Sequence, residues 1–289
     1  MDRMKLELLK TIGRLRLNKK YIYYSLAIGL SSLIIPLGVQ FLVNSLALNG
    51  MWFNNFTFLI LIGLGLAVAH VIRHSQLILI ELLQRDIFVL EMDRWVGFKD
   101  SKHAQYYFEV MNLLKSFSKS YAHLIELVLL CVFGLTTVIL FHPAFIILPL
   151  ILGALFFRLR DSFALAIKTS IIESNVKYRM YDLIQAQTAV SDDDIDDYLE
   201  AREAHFKFTK KNSVTVATGV LLCQLLLLGI GIYFIQLNQI SVGQLVSMEI
   251  IFSGISLSLL KLPQTLEAIF DYETSEYKIK KTLAGGFHD

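Results

Sequence analysis

Five polar or charged side chains lie within long apolar stretches of this chain or at their ends, where such residues are rare. They are His70, Arg73, Glu126, Gln224 and Glu249. Polar and charged groups at membrane depth are costly, and they generally face a cavity, an ion path or a bonding partner. These residues are therefore our candidates for lining a substrate path, which they would do by ion pairing and hydrogen bonding.

Three of the five lie at a similar depth. Counted along a helix from the nearest outer turn between apolar stretches, His70, Glu126 and Gln224 each lie ~21–23 Å in, and Arg73 lies one turn deeper. This depth allows His70 and Arg73 to group with Glu126 around a polar cavity. The same residues would also suit a structural ion pair between two helices, or exposure near the membrane surface, and the sequence leaves these alternatives open.

Glu249 lies much closer to the outer turn that precedes its apolar stretch, within about two helical turns. A lone carboxylate at that position must face a cavity or a partner. It is a candidate for the substrate path, with subunit packing or outer gating as the alternatives.

Other reactive residue types give weak patterns. His70 and His74 are four residues apart on one helical face, but no matching cysteine or carboxylate pair completes a metal site. Cys131 and Cys223 both lie in apolar runs, which is typical of buried small hydrophobic residues. No Ser/His/Asp or Cys/His arrangement stands out, so we expect this chain not to be an enzyme and to hold neither a metal nor a cofactor.

An acidic run comprises Asp192 to Asp194 with Asp196 and Asp197. It lacks the glycine and the terminal glutamate that an EF-hand calcium loop needs at fixed offsets. Aspartate favours a helix N-terminus because it accepts backbone N–H bonds and complements the helix dipole. The run therefore predicts a solvated cap before a helix.

The basic residues set the topology. All 27 lysines and arginines fall in four blocks, and three long segments contain none: Tyr21–Ile72, Ser120–Phe157 and Asn212–Leu260. We call these the basic-free segments. Because positive charge is retained on the cytoplasmic side of a membrane, each segment should leave the cytoplasm and return to it. The expectation is six crossings with both termini in the cytoplasm, in the plasma (cell inner) membrane.

Composition agrees with a multi-pass membrane protein. Hydrophobic residues make up 55% of the 289 residues and mean hydropathy is +0.55, which is well above an ordinary soluble domain. The basic blocks are interleaved with acidic residues and carry no stacking platform, so nucleic acid is not an expected partner.

Helical patterns continue beyond the apolar stretches, which predicts an all-α fold. The expected spans are Tyr21–Leu46, Asn55–Val71, Ala122–Phe141, Ala144–Phe157, Val214–Leu237 and Gln244–Leu262. Residues 1–20 predict an amphipathic helix on the inner surface, residues 21–283 the membrane domain, and residues 284–289 a tail. The two inner excursions should form long helical hairpins, each with a short break at its tip.

Several short motifs follow this layout in order. They are Pro36-Leu37-Gly38-Val39-Gln40 followed by Asn44, Tyr107-Phe108-Glu109, Asp182-Leu183-Ile184-Gln185-Ala186, Ile240-Ser241-Val242-Gly243-Gln244-Leu245-Val246, Lys261-Leu262-Pro263 and Ser275-Glu276-Tyr277-Lys278-Ile279-Lys280-Lys281-Thr282-Leu283. Together they resemble the transmembrane domain of type I ABC exporters, whose six long helices carry two cytoplasmic coupling segments. One difference is that Ala186 stands where the second coupling segment usually has glycine.

The resemblance implies docking to an ATPase through the two coupling segments. The implied docking residues are Phe98, Lys99, Asp100, Ser101, Lys102, His103, Tyr181, Asp182, Leu183, Ile184, Gln185 and Ala186. No phosphate-binding G-x-x-x-x-G-K-[ST] loop is present, so ATP and Mg²⁺ are expected on a separate ATPase subunit.

The resemblance further implies a homodimer, or a heterodimer with a related membrane subunit, surrounded by lipid. It predicts an exporter permease that moves a substrate out of the cytoplasm or the inner leaflet. Three alternatives stay open: a non-transporting scaffold or regulator with the same fold, an unrelated six-span channel or transporter, and a membrane enzyme.

Overall fold

The computed structural model describes residues 17–47, 52–95, 104–187, 189–269 and 271, which are almost entirely helical and contain no strand. The expected all-α class is confirmed for this part of the chain. The helices are α1 (Leu17–Ser31), α2 (Ile34–Ala47), α3 (Trp52–Trp95), α4 (Ala104–Phe141), a 3-10 helix (Pro143–Ile146), α5 (Ile147–Gln185), α6 (Asp192–Gln236), α7 (Val242–Leu260) and α8 (262–269). The predicted surface helix 1–20, apart from its last residues, and the tail 284–289 lie outside the described residues.

Among the residues that the structure describes, five helical segments are long and apolar enough to cross a membrane. They are Ile22–Ala47, Leu59–Leu82, Ser118–Phe141, Asp192–Gln236 and Val242–Ile269. The predicted fourth span, Ala144–Phe157, falls in a shorter apolar helix, Pro143–Leu159. The length and the composition of these helices therefore support a multi-pass membrane protein, with five described segments that are both long enough and apolar enough to cross.

Several helices are far longer than a membrane requires. Helix α3 has 44 residues and α6 has 45, which corresponds to ~65 Å of helix against about 30 Å of hydrocarbon. All charged side chains of α6 lie in its first half, residues 192–211. The part of α6 that can cross is thus residues 212–236, and its charged half extends beyond, as the sequence predicts.

The first predicted span is interrupted near Pro36. Helix α1 ends at Ser31 and α2 begins at Ile34, so the break at residues 32–33 lies about one turn before the proline. Proline has no N–H to donate to the carbonyl four residues earlier, and its ring collides with that carbonyl. The Ser31 and Ser32 hydroxyls instead donate to carbonyl oxygens of the preceding turn, at 2.7 and 2.6 Å.

The chain divides into two compact units. Unit 1 contains Met1–Phe98, Tyr121–Pro149 and Leu222–Leu259, and unit 2 contains Lys99–Ser120, Leu150–Leu221 and Leu260–Asp289. In unit 1, α1 and α2 both pack on α3. A buried hydrogen bond from Gln76 Nε2 to Ser25 Oγ, 3.1 Å long, joins α1 to α3.

The interior of unit 1 is apolar and closely packed. Its fully buried side chains come from α4, the 3-10 helix and the beginning of α5, α6 and α7, and they include Val138, Phe145, Leu148, Cys223, Leu227, Met248, Phe252 and Ile255. Gly134 of α4 faces Ile251 and Ile255 of α7 at close range. A glycine here allows the two helix backbones to approach, as is common where membrane helices pack.

The N-terminus of α7 is fixed by two polar contacts. Ser241 Oγ accepts a hydrogen bond from Gln244 N (3.1 Å), and Gln244 Oε1 accepts one from Ser241 N (2.7 Å), which together form a capping box. Asn44 Oδ1 of α2 accepts from Gly243 N at 3.2 Å. The Pro36–Asn44 motif and the Ile240–Val246 motif therefore meet in space.

Unit 2 is built around helices α5 and α6. Its buried apolar residues are Leu159, Ala166, Val216, Val220 and Leu262. Leu155 of α5 lies directly over Gly219 of α6, where a Cβ atom would collide with its side chain. The charged contacts of this unit are described with the candidate site.

We expect Gly243→Ala to lower stability, because an added Cβ would lie 2.6 Å from the Gln40 carbonyl oxygen and would also press on Asn44. Overpacking of this kind typically costs about 1–3 kcal/mol. The measurement is the apparent Tm of the detergent-solubilised protein. Gly229→Ala is the matched control, because nothing lies within 4 Å of its Cβ position; an equal Tm for the two variants would contradict the packing described here.

Candidate functional site

Two of the predicted substrate-path residues are in direct contact in unit 1. Gln224 Nε2 of α6 donates a short hydrogen bond to Glu249 Oε1 of α7. Ser256, two turns along α7 from Glu249, donates from Oγ to Gln224 Oε1 at 3.4 Å. The three side chains form a polar network between α6 and α7, which we call the Glu249 network.

The network is only partly satisfied. Glu249 and Gln224 are half-buried, and Ser256 is buried. The second carboxylate oxygen, Glu249 Oε2, is buried and meets no donor at full hydrogen-bond geometry among the described residues, and the Ser253 hydroxyl, one turn along α7, contacts the same carboxyl group. A buried acceptor without a donor at full geometry is uncommon in folded proteins, and such atoms concentrate where a ligand, an ion or a proton binds.

The other three predicted substrate-path residues are not joined to this network. His70 and Arg73 are exposed on α3, and Glu126 is half-buried on α4. Within the described part of the chain, no hydrogen bond or ion pair links Glu126 to His70 or to Arg73. Their grouping stays a prediction.

Unit 2 contains a charged cluster that the sequence analysis did not identify. Arg202 of α6 donates to Glu173 Oε1 of α5 at 2.6 Å, and His205 Nε2 lies 3.5 Å from Glu267 Oε1 of α8. Ser170 of α5 donates to Asp271 at 3.4 Å. These contacts, which lie outside the basic-free segments, tie α5, α6 and α8 together.

His205 has a partner at each ring nitrogen. Nδ1 lies 3.4 Å from the Thr169 hydroxyl oxygen, which also contacts Ala166 O at 2.9 Å. Nε2 faces the carboxylate of Glu267, which favours the protonated imidazole. The hydrogen bond to Glu267, reinforced by the charges of Glu173, Glu267 and Asp271, raises the pKa of His205.

The pKa of the neighbouring Asp271 is also raised. The main cause is burial, which disfavours the charged carboxylate, and the nearby Glu267 charge is a further cause. Sequence spacing carried some signal for this cluster: Arg202 and His205 are three residues apart, and Glu267 and Asp271 are four apart, so each pair shares a helical face. The pairing between helices depends on their register, which spacing alone does not give.

The sequence predicts that the acidic run caps the helix from outside, but the run begins the helix itself: Asp192, Asp193 and Asp194 form the first turn of α6. Ser191 Oγ accepts from Asp194 N (3.2 Å), while Asp194 Oδ2 accepts from both Ser191 N (3.2 Å) and Ser191 Oγ (2.6 Å). Arg179 of α5 then donates to Asp194 (3.1 Å) and Asp197 (2.6 Å). The tip where α5 turns into α6 is therefore fixed by a cap and a bridging arginine.

The second predicted docking segment lies at this tip. Residues Tyr181 to Gln185 form the last turns of α5, and Ala186 and Gln187 form the turn that follows. The left-handed conformation that glycine would favour falls on Gln187, with φ 55°, one residue after Ala186. Ile184 and Ala186 are exposed. The first predicted docking segment, Phe98 to His103, lies outside the described residues.

No three histidine, cysteine, aspartate or glutamate side chains converge to hold a metal ion in residues 17–47, 52–95, 104–187 and 189–269 with 271. Cys131 and Cys223 are both free thiols. The Glu249 network and the charged cluster contribute hydrogen bonds and ion pairs.

We expect stability to fall as pH rises above neutrality. A folded-state pKa above the unfolded value of about 6.5 means that the His205 contribution is fully present below that pH and is lost as pH rises through the folded pKa. The apparent Tm should drop by on the order of 2–4 °C between pH 6 and pH 8.5. His205→Gln should flatten this dependence. An unchanged slope in that variant would mean that other groups cause it.

A scan of protein-family models gave no match for this sequence, and a search of curated proteins gave none either.

Proposed function

We propose that this chain is the membrane-spanning permease subunit of a split ABC exporter, which works with an ATPase carried by a separate polypeptide. The observation that carries this proposal is the combination of three basic-free segments with helices that continue far beyond them. Helices of this length extend well outside the membrane, where they are suited to form a rigid connection to a soluble ATPase.

The proposal requires six crossings, and therefore requires Pro143–Leu159 to cross. At 17 residues this segment covers about 25 Å, slightly less than the hydrocarbon thickness of roughly 30 Å. Arg158 and Arg160 have long side chains that can reach the interface, and this reach compensates for the small difference in length. Since Lys119 and Arg158 flank the second basic-free segment, retention of both on the same side also favours its return across the membrane.

The contact between Asn44 and Gly243 supports the proposal in a second way. The two motifs that carry the resemblance at the first and sixth spans are 199 residues apart in sequence, and they meet at one hydrogen bond. A close approach of these two spans is what a compact six-helix domain would need. It is an observation about unit 1 and does not depend on the docking residues.

The proposed docking surface is the α5–α6 tip, with residues 181–186 at its centre and the first predicted segment, Phe98 to His103, as its counterpart. Arg179 bridges α5 to Asp194 and Asp197 of α6. Because this bridge and the Ser191 cap hold the tip together, a push on the tip would move both helices as one body. A stiff lever of this kind is suited to transmit a motion of the ATPase.

In the proposed cycle the chain acts as a dimer, with itself or with a related subunit. ATP and Mg²⁺ bind to the partner ATPases, whose approach to each other moves the docked tips and changes the side to which the substrate path opens. Nucleotide drives this change only through its different affinity for the two states. The termini would both lie in the cytoplasm, and the membrane would be the plasma membrane.

Substitutions in the docking segment should uncouple the two subunits. We expect Asp182→Lys and Gln185→Trp to abolish the stimulation of ATPase activity by the membrane subunit, because they change charge and volume where the motor would dock. The apparent Tm should stay close to that of the unmodified protein. The measurement is ATP hydrolysis by the ATPase that co-purifies with this chain, in lipid vesicles.

The matched control is Glu203→Lys, which makes the same kind of charge reversal on the exposed side of α6, ~16 Å from its first residue. It should keep full stimulation. Stimulated hydrolysis and co-purification that survive Asp182→Lys and Gln185→Trp would rule out the docking assignment, and a protein that transports without any ATPase would rule out the proposed function.

A further inference from the structure

The charge balance of the membrane segments is incomplete at Glu249. The three basic-free segments contain two carboxylates, Glu126 and Glu249, and by definition no lysine or arginine. Glu249 lies in the 19-residue helix α7, beside the fully buried residues Met248 and Phe252. An ionised carboxylate in such a place is stable only if a positive charge compensates it.

The protein does not supply that charge in the described residues. Glu249 forms no ion pair there, and its bonded neighbour Gln224 is neutral. The basic-free segments contain three histidines. His70 is exposed on α3, His123 Nε2 contacts Ser258 O at 3.3 Å, and His142 Nε2 contacts Gln239 Oε1 at 3.1 Å. Among the described residues nothing supplies this charge, so a bound cation or a proton on Glu249 would have to balance it.

We propose that the Glu249 network is a binding site for the positively charged group of an organic cation, and that the molecule transported is such a cation. The inference rests on the proposed function only where it calls the bound molecule a substrate. Binding itself requires neither the ATPase nor the docking residues.

The network has the chemistry that such a ligand needs. Glu249 Oε2 lies buried beside the Ser253 hydroxyl, and Oε1 is held by Gln224, which fixes the orientation of the carboxylate. Ser256 holds the amide of Gln224 in turn. A negative carboxylate in a water-poor, mainly apolar surrounding is a suitable site for a ligand with a positively charged group and an apolar body. A proton is the competing occupant, and the experiment separates the two.

The test uses the purified chain in lipid nanodiscs with tetraphenylphosphonium, a permanent organic cation, and equilibrium dialysis at several pH values. We expect saturable binding that weakens as pH falls, since protons compete for Glu249. Glu249→Gln keeps the shape and removes the charge, and it should weaken binding by at least about tenfold. Glu203→Gln removes one exposed negative charge from α6, and it should stay within about twofold.

A second variant tests the site in the opposite direction. Gln224→Lys places an ammonium group beside Glu249, so it should abolish tetraphenylphosphonium binding and leave the apparent Tm unchanged or higher. Binding that persists in Glu249→Gln or in Gln224→Lys would overturn the proposal. So would a well-folded unmodified protein that takes up a proton at Glu249 and binds no tetraphenylphosphonium at any pH. Because no ATPase is present, none of these outcomes bears on the docking assignment.

Discussion

The cost of placing positive charge in hydrocarbon is the constraint on which the rest of this molecule depends. All lysines and arginines are kept out of three segments, each long enough to leave the membrane and return. Within those segments the backbone must satisfy its own hydrogen bonds, so the described residues are helical except at the break at 32–33, at residue 142 and at the turn 237–241. The charged residues collect on the helical extensions, where they pair with one another between helices, as Arg202 does with Glu173.

Because of the same constraint, the polar side chains that remain in the apolar helices are informative about function. A hydrogen bond between a glutamine and a glutamate is unremarkable in a water-exposed helix pair. Between α6 and α7 it is the point where an apolar contact surface becomes polar, and one oxygen of Glu249 meets no donor at full hydrogen-bond geometry among the described residues. Several hydroxyl groups in the apolar helices bond locally instead: Thr137, for example, donates to Phe133 O at 2.8 Å, four residues earlier.

The helices could largely be predicted from the sequence, because their signals are local. Unbroken helical periodicity predicts the continuation of α3 to Trp95, and the absence of an N–H in Pro36 predicts the break between α1 and α2. The start of α6 is less well predicted. The helix begins at Asp192, four residues before the predicted start near Asp196, because Ser191 and Asp194 cap each other.

Contacts between helices were harder to predict, since they depend on register and on crossing angles. Depth counted along single helices groups Gln224 with His70 and Glu126, whereas the structure pairs Gln224 with Glu249. The count ignores the tilt of one helix against another and the reach of two long side chains. The charged cluster around His205 was missed for the same reason, because its members are unremarkable until α5, α6 and α8 are brought together.

The most direct test of the account is the side of the membrane on which the α5–α6 tip lies. In a variant whose two cysteines are replaced by alanine, Asp193→Cys and Asn238→Cys would be labelled with a membrane-impermeant maleimide, in intact cells and in inverted membrane vesicles. The account predicts that Asn238→Cys reacts in intact cells and that Asp193→Cys reacts only in the inverted vesicles. Labelling of Asp193→Cys in intact cells, or of both positions from the same side, would contradict it.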